Sequence, residues 1–487
     1  MKFDLLGGSY EQRFKASNAQ RTINWYPVIT GQTEQNKSQI SLYPTPGLVS
    51  YTTLPGRYGR GLFTLRTHFY TKCFAIVDNT LYEIKPNFTY TTIGTLSAIS
   101  VGSSRIKMEC NLQNELFIPA YDASYVYDLD TSVLTKVTDS EFPNNVTGAT
   151  YLDQYMIVCA NGAVFESLTT SALNWDSTQT FSPTFKSAPV IAVAALREQI
   201  FNFTTETIEV YINDGESPYS RLPRTSVLMG IKAKDSLATF QKGFAFIGSS
   251  RVGEAQVYFY DGWNEPQAIS DQSVAYQLSR ASTLEDAYGY IQETKDGHYW
   301  YYLTVPSLNN TFIYDFNSHM WHWRQSVIPG TASDGTINHS IFRGAYHTNF
   351  NGKNLFLDAY SGKIFYEDYD TYTEDSNFIR RERISQEIWD EDKNVSQDKM
   401  IIDCNVGQAT SSGQGSSPIL QVSWSNDGGY TFTSPMNVSL GPQGTYNYRV
   451  RLNKLGTSRK RNYKLVLTDP VDLMLQGAYM NGISNTY

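Results

Sequence analysis

The feature of this chain that most restricts its fold is a short hairpin that keeps returning. Across residues 58–372, runs of β-branched and aromatic residues are broken by Gly, Asn, Asp and Pro, which is the pattern of antiparallel strands joined by tight turns. Such pairs read out at 73–84, 115–129, 155–165, 199–212, 244–260, 298–316 and 355–366. Asn161-Gly162 stands between two of these runs and is a strong two-residue hairpin signal. The pairs recur roughly every 40 to 50 residues, the spacing of propeller blades. A small antiparallel sheet cannot bury both faces alone, and radial stacking around an axis solves that problem. The expectation is an all-β chain whose centre is an irregular β-propeller of about seven blades, with six as the alternative. Residues 190–199 form the most helix-like apolar window, yet Val190, Ile191 and Val193 suit a strand equally.

Two segments break the rhythm. Residues 1–57 hold Asn24-Trp25-Tyr26-Pro27 and Tyr43-Pro44-Thr45-Pro46-Gly47. Each proline lacks a ladder donor and stiffens the backbone, so this part reads as an extended N-terminal arm packed on other elements. Residues 373–400 carry Glu374 and Asp375, then Arg380, Arg381 and Arg383, then Asp390, Glu391 and Asp392. That shift in composition marks a charged linker between the propeller (58–372) and a second unit. In 401–487, alternation in Leu420-Gln421-Val422-Ser423-Trp424 and Tyr448-Arg449-Val450-Arg451-Leu452 predicts a C-terminal antiparallel β-sandwich or barrel-like domain.

Composition narrows the function classes. The net charge is −8, and charged residues make up only 18%. A sequence-specific DNA binder needs a basic face for phosphates, whereas a wall that DNA slides past should not grip them. Cys73, Cys110, Cys159 and Cys404 are dozens of residues apart, which suits buried reduced thiols better than a disulfide framework. The opening residues lack the charged and apolar regions of a signal peptide. No run of apolar residues approaches a membrane span.

Catalytic signatures are sparse. No Walker loop, G-x-S-x-G elbow or H-E-x-x-H motif occurs. His319 and His322 are three apart, which on a strand places them on opposite faces, so no metal site is expected. No cofactor or catalytic residue is assigned. Ser425-Asn426-Asp427-Gly428-Gly429-Tyr430-Thr431-Phe432 resembles the Asp box of sialidases and other propellers, which is a structural turn. Its physical content lies in Ser425, Asp427, Gly429, Thr431 and Phe432: a carboxylate that accepts backbone N–H bonds, a glycine free to take positive φ, and an aromatic packed beneath. A sialidase would also need clustered arginines, and Arg197, Arg221, Arg324 and Arg343 are scattered. A sialidase-like glycan hydrolase or a host-glycan-binding propeller is the alternative function. Arg459, Lys460 and Arg461, like Arg380, Arg381 and Arg383, are candidate interface residues.

The run Asn18-Ala19-Gln20-Arg21-Thr22-Ile23-Asn24-Trp25-Tyr26-Pro27, followed by Thr45-Pro46-Gly47-Leu48, resembles the opening of the packaged-DNA stabilisation family, the tail hub or nozzle proteins of short-tailed bacteriophages. Ser423 to Gly429 and the stretch through Leu455-Gly456 and Arg459 extend the resemblance to the C-terminal half. The resemblance implies a non-enzymatic virion protein that carries a β-propeller and forms a six-fold homo-oligomeric ring. Such a ring would sit below the portal and its adaptor or head-completion protein, assembled in the host bacterial cytoplasm. It would close the DNA-filled capsid, pass double-stranded DNA without reading its sequence, and hold tail fibres, a spike or a needle.

Overall fold

The computed structural model describes residues 2–3, 5–31, 39–67, 70–99, 104–169, 171–215, 219–249, 253–327, 339–390 and 393–485. His68, Glu391 and Asp392 therefore lie outside the described residues.

Seven small antiparallel sheets repeat one plan among the described residues. Their strands run in chain order at 59–95, 109–136, 146–181, 190–221, 230–268, 288–327 and 344–368. Local turn chemistry sets each register. At the Ala160↔Ala163 hairpin, Asn161 and Gly162 take φ of 50° and 81°, the left-handed pair whose twist matches that of the flanking strands. The ambiguous window becomes the strand Val190–Leu196, paired to Gln199–Thr204 through a turn in which Arg197 and Glu198 also have positive φ.

The apolar residues close these sheets into a ring. Separate cores join blades one and two (Phe74, Leu116), two and three (Phe117, Met156), three and four (Ile157, Ile200), and four and five (Phe201, Phe244). Others join five and six (Ile247, Tyr301), six and seven (Trp300, Phe356), and seven back to one (Leu355, Cys73). The first strands of neighbouring blades touch, as Gly344–Phe350 does Gly59–Arg66, and so surround the axis. The helix Gln272–Ser279 sits between blades five and six. Asp271 caps its N-terminus by accepting from Val274 N at 2.8 Å, the usual role of Asp at that position.

Blade seven has only three strands of its own. Its fourth is Gly47–Thr53, antiparallel to Lys363–Asp368 with Tyr366 opposite Val49. The residues expected as an extended arm thus supply a blade strand.

A second apolar core lies between two further sheets. One contains Trp25–Ile29, Ile40–Pro44, Leu475–Asn485, Asn394–Cys404 and Val450–Ser458. The other contains Arg381–Ile384, Lys460–Leu467 and Ile419–Ser425. Leu5, Leu6, Trp25 and Leu42 pack there with Met400, Leu420, Tyr463 and Leu465. The result is a β-sandwich completed by N-terminal residues. Residues 373–400, expected as a charged linker, run instead as short strands: Thr373–Glu374 and Asn377–Phe378 extend the blade-seven sheet beyond Gly47–Thr53, while Arg381–Ile384, Ile388–Trp389 and the start of Asn394–Cys404 join the sandwich sheets.

Candidate functional site

The residues of the N-terminal motif converge on the splice between propeller and sandwich. The strand Ala19–Ile23 lies parallel to the last strand of blade six, with Ile23 opposite Trp323. Its other edge pairs antiparallel with Arg381–Ile384, with Arg21 opposite Ile384. One continuous sheet therefore passes from blade six into the sandwich. Asn24 then turns the chain into the second sandwich sheet at φ 55°, a conformation Asn tolerates better than most residues. Its amide is fully used. Nδ2 donates to Gln325 O at 2.9 Å and Arg380 O at 2.8 Å, and Oδ1 accepts from Gln325 N at 3.1 Å. Trp25 sinks into the sandwich core and donates to Leu473 O at 3.0 Å, while the Tyr26 ring meets Trp300 of blade six edge-on at 4.8 Å. Gly47 follows Pro46 because no side chain fits: a Cβ there would stand 2.4 Å from Thr371 O.

Charge is buried throughout this splice. Arg383 is fully buried and donates to Leu5 O (2.7 Å), Gly8 O (2.9 Å), Thr22 Oγ1 (2.8 Å) and Gln20 Oε1 (2.7 Å). Glu382 takes Arg21 Nε at 2.7 Å and also bonds Arg380. Burial pushes its carboxyl up, but the two guanidinia outweigh this and hold it below its ordinary range. Arg381 donates to Val471 O at 2.7 Å. Arg324, also fully buried, donates to Tyr302 Oη and Pro46 O, both at 2.9 Å, and lies 3.6 Å from Glu367 and from Glu374.

These contacts correct part of the expected interface. Arg381, Arg383 and Arg461 are 0%, 0% and 2% exposed, so no partner can reach them. Arg461 donates to Leu455 O at 2.7 Å and Gln397 Oε1 at 3.0 Å. Only Arg380, half-buried, and the exposed Arg459 and Lys460 remain at the surface.

The Asp-box-like turn forms a tight local network. The Ser425 hydroxyl donates to Asp427 at 2.5 Å and accepts from Gly429 N at 2.8 Å, and Asp427 accepts from Tyr430 N and Thr431 N at 3.0 Å. The Ser425 and Thr431 hydroxyls hold the Asp427 carboxyl well below its usual range. Phe432 is half-buried under the Lys464 ammonium, 4.2 Å from its ring centroid. A Cβ on Gly428 would come within 2.6 Å of Ala16, so the turn docks on the N-terminal segment.

The other sequence-level candidates do not assemble a reaction centre. Among the four arginines weighed for a sialidase, Arg197 and Arg221 belong to blade four, Arg324 is sealed in the splice, and Arg343 pairs with Asp358 at 2.8 Å. The groove of about 340 Å3 beside blade seven is lined by Glu293, Lys295, Lys353, Tyr366 and Asp368, and Lys353 already covers the Tyr366 ring at 4.1 Å. His322 is fully buried, and burial lowers it to about 3, so it stays neutral. His319 contacts Tyr314 Oη at 3.1 Å. Among the described residues, no three His, Cys, Asp or Glu side chains cluster as metal ligands.

Sequence reasoning missed the propeller axis. Residues 104–110 run beside the first strand of blade one, with Ile106 N bonded to Arg60 O at 2.7 Å. Ile106 and Met108 face the core between blades one and two, which leaves Arg105, Lys107 and Glu109 on the other face. Lys107 reaches across the ring to Leu237 O of blade five at 2.8 Å. The Arg105 guanidinium lies between the rings of Tyr288 (4.1 Å) and Tyr346 (3.8 Å), and it donates to Ala345 O at 2.7 Å. Side chains of the segment leading into blade two thus bond blades five and seven through the centre. Alternation of charged and apolar residues over 105–110 is the signal that marks this strand.

Propeller closure by an N-terminal strand, a sheet shared with a sandwich and an axis crossed by side chains define a two-module structural β-protein. Two family models cover almost all of it: Bacteriophage P22 Gp10, beta-propeller, matches residues 1–372, and Bacteriophage P22 Gp10, beta-sandwich, matches residues 380–482. The chain belongs to the Bacteriophage P22 Gp10 family of structural phage tail proteins. No curated protein sequence matches it. Similar solved structures include the Neurospora crassa Pan2 WD40 domain, at 7% identity and a TM-score of 0.39, covering 67% of this chain and 95% of that one. The N-terminal domain of Nup159 follows at 10% identity and 0.37, covering 75% and 98%. Likenesses at such TM-scores carry no argument about function.

Proposed function

We propose that this chain is the ring-forming subunit of a tail hub or nozzle, a non-enzymatic virion component assembled in the bacterial cytoplasm. The ring sits below the portal and its adaptor, closes the DNA-filled capsid and surrounds the path of DNA ejection. It also offers a platform for fibres, a spike or a needle. Membership of the phage tail family is the observation that carries this reading. The bridged propeller axis adds a constraint: with Arg105 and Lys107 reaching across it, no duplex passes through one subunit, so the conduit lies between subunits. Six copies arranged cyclically meet through two different surfaces, and Arg380, Arg459 and Lys460 are placed in one of them. A net charge of −8 suits a wall that releases phosphates. The test is electron microscopy of the purified chain mixed with its portal–adaptor complex. Six-fold rings with a lumen wide enough for a duplex between subunits are expected; a particle that stays single at high concentration overturns the proposal.

A further inference from the structure

The propeller axis holds two cations that no carboxylate contacts directly. Arg105 and Lys107 have no carboxylate within 4 Å among the described residues, and their only hydrogen-bond partners there are the carbonyls of Ala345 and Leu237. Arg105 Nε is buried with no acceptor. Lys107 is exposed to solvent, although enough protein surrounds its ammonium for burial to lower its pKa. Being two apart on one extended segment, the two residues start about 7 Å from each other, a span one small anion can bridge.

We propose that the axis binds one small tetrahedral oxyanion of the sulfate or phosphate class, held between the Lys107 ammonium and the Arg105 guanidinium. Charge-assisted hydrogen bonds to oxyanions are roughly twice as strong as neutral ones. The Tyr288 and Tyr346 rings fix the guanidinium plane, so little side-chain entropy remains to be lost on binding. The site belongs to a single chain and is independent of the role in the tail.

Glu109 tunes the site. It lies on the same strand face, and burial pushes its carboxyl up to about 7, with Lys107 opposing the shift. Other charges facing Lys107 are Asp235, which favours its charge, and Arg105 and Lys234, which oppose it; burial depresses it most. Below pH 7 Glu109 is protonated and the cations act alone. Above pH 7 its negative charge competes with the anion. Binding therefore weakens as pH rises from 6 to 8.

Calorimetric titration of the full chain with sodium sulfate tests this, because sulfate keeps its charge across that range. One saturable site is expected, tighter at pH 6 than at pH 8. Lys107→Met should weaken it about tenfold or more, the worth of one charge-assisted bond. Glu109→Gln, which keeps both cations, should bind sulfate at pH 8 as the natural chain does at pH 6. An excess of duplex DNA should not displace the sulfate. Absence of a saturable site, equal affinity in Lys107→Met, weaker binding in Glu109→Gln at pH 8, or displacement by DNA would each overturn the proposal.

Discussion

At the residue scale, the splice rests on a few side chains that each answer several backbone groups. Arg383 joins Leu5, Gly8, Gln20 and Thr22, residues more than 360 positions earlier in the chain. Removing one partner of a buried charged network leaves the others desolvated and unmet, at a cost of about 3–5 kcal/mol. Arg383→Met should lower unfolding free energy by that amount in urea titration. Arg383→Lys should recover less than half of it, because one ammonium cannot reach four acceptors that a planar fork spans. A loss below about 1 kcal/mol in Arg383→Met would contradict this account. The same residue shows where sequence reading fell short. Arg381, Glu382 and Arg383 look like a solvated run, and charge runs usually are. Here the strand has sheet on both edges and packed layers on both faces, so all three are buried. Charge patterning alone does not distinguish a surface from a buried network whose partners sit at the other end of the chain.

At the scale of elements, the blades were legible because their information is local. A hairpin needs only alternation and a turn, and both fall within a dozen residues, as in 155–165. The closing strand Gly47–Thr53 was not legible as part of blade seven: its partner Lys363–Asp368 is more than 300 residues away, and pairing at that distance leaves no periodic mark. Strand Ala19–Ile23 was recognised by motif but not by role for the same reason. Helix Gln272–Ser279 was missed because two apolar positions, Val274 and Leu278, make too short a stripe to stand out. The dependence of blade seven on a distant strand yields a direct test. A chain beginning at residue 58 loses that strand and leaves the 363–368 edge open, a template for aggregation. It should elute as aggregate and show no sharp thermal transition by circular dichroism. A monomer that melts cooperatively at the parent temperature would show that the N-terminal strand is dispensable.

At the scale of the molecule, the shared sheet makes propeller and sandwich one stiff body, so assembly is a matter of surfaces and not of hinges. Arg459 and Lys460 are exposed at the sandwich, and Lys460 has only a loose contact with Glu387 at 3.7 Å, the kind of surface pair worth little to stability. Reversing both, Arg459→Glu with Lys460→Glu, should leave monomer stability within about 0.5 kcal/mol. Light scattering should show the ring population fall. Rings of unchanged abundance would remove these residues from the interface. The strand borrowed from the N-terminus has a last consequence, one of timing. During synthesis, residues 47–53 emerge long before 363–368, and residues 19–23 before 381–384. These segments must wait, extended and sticky, until partners more than 300 residues further along have been made. Such late closure makes for slow maturation and a nascent chain that leans on chaperones, and it ensures that only a finished copy can present a complete subunit to its neighbours.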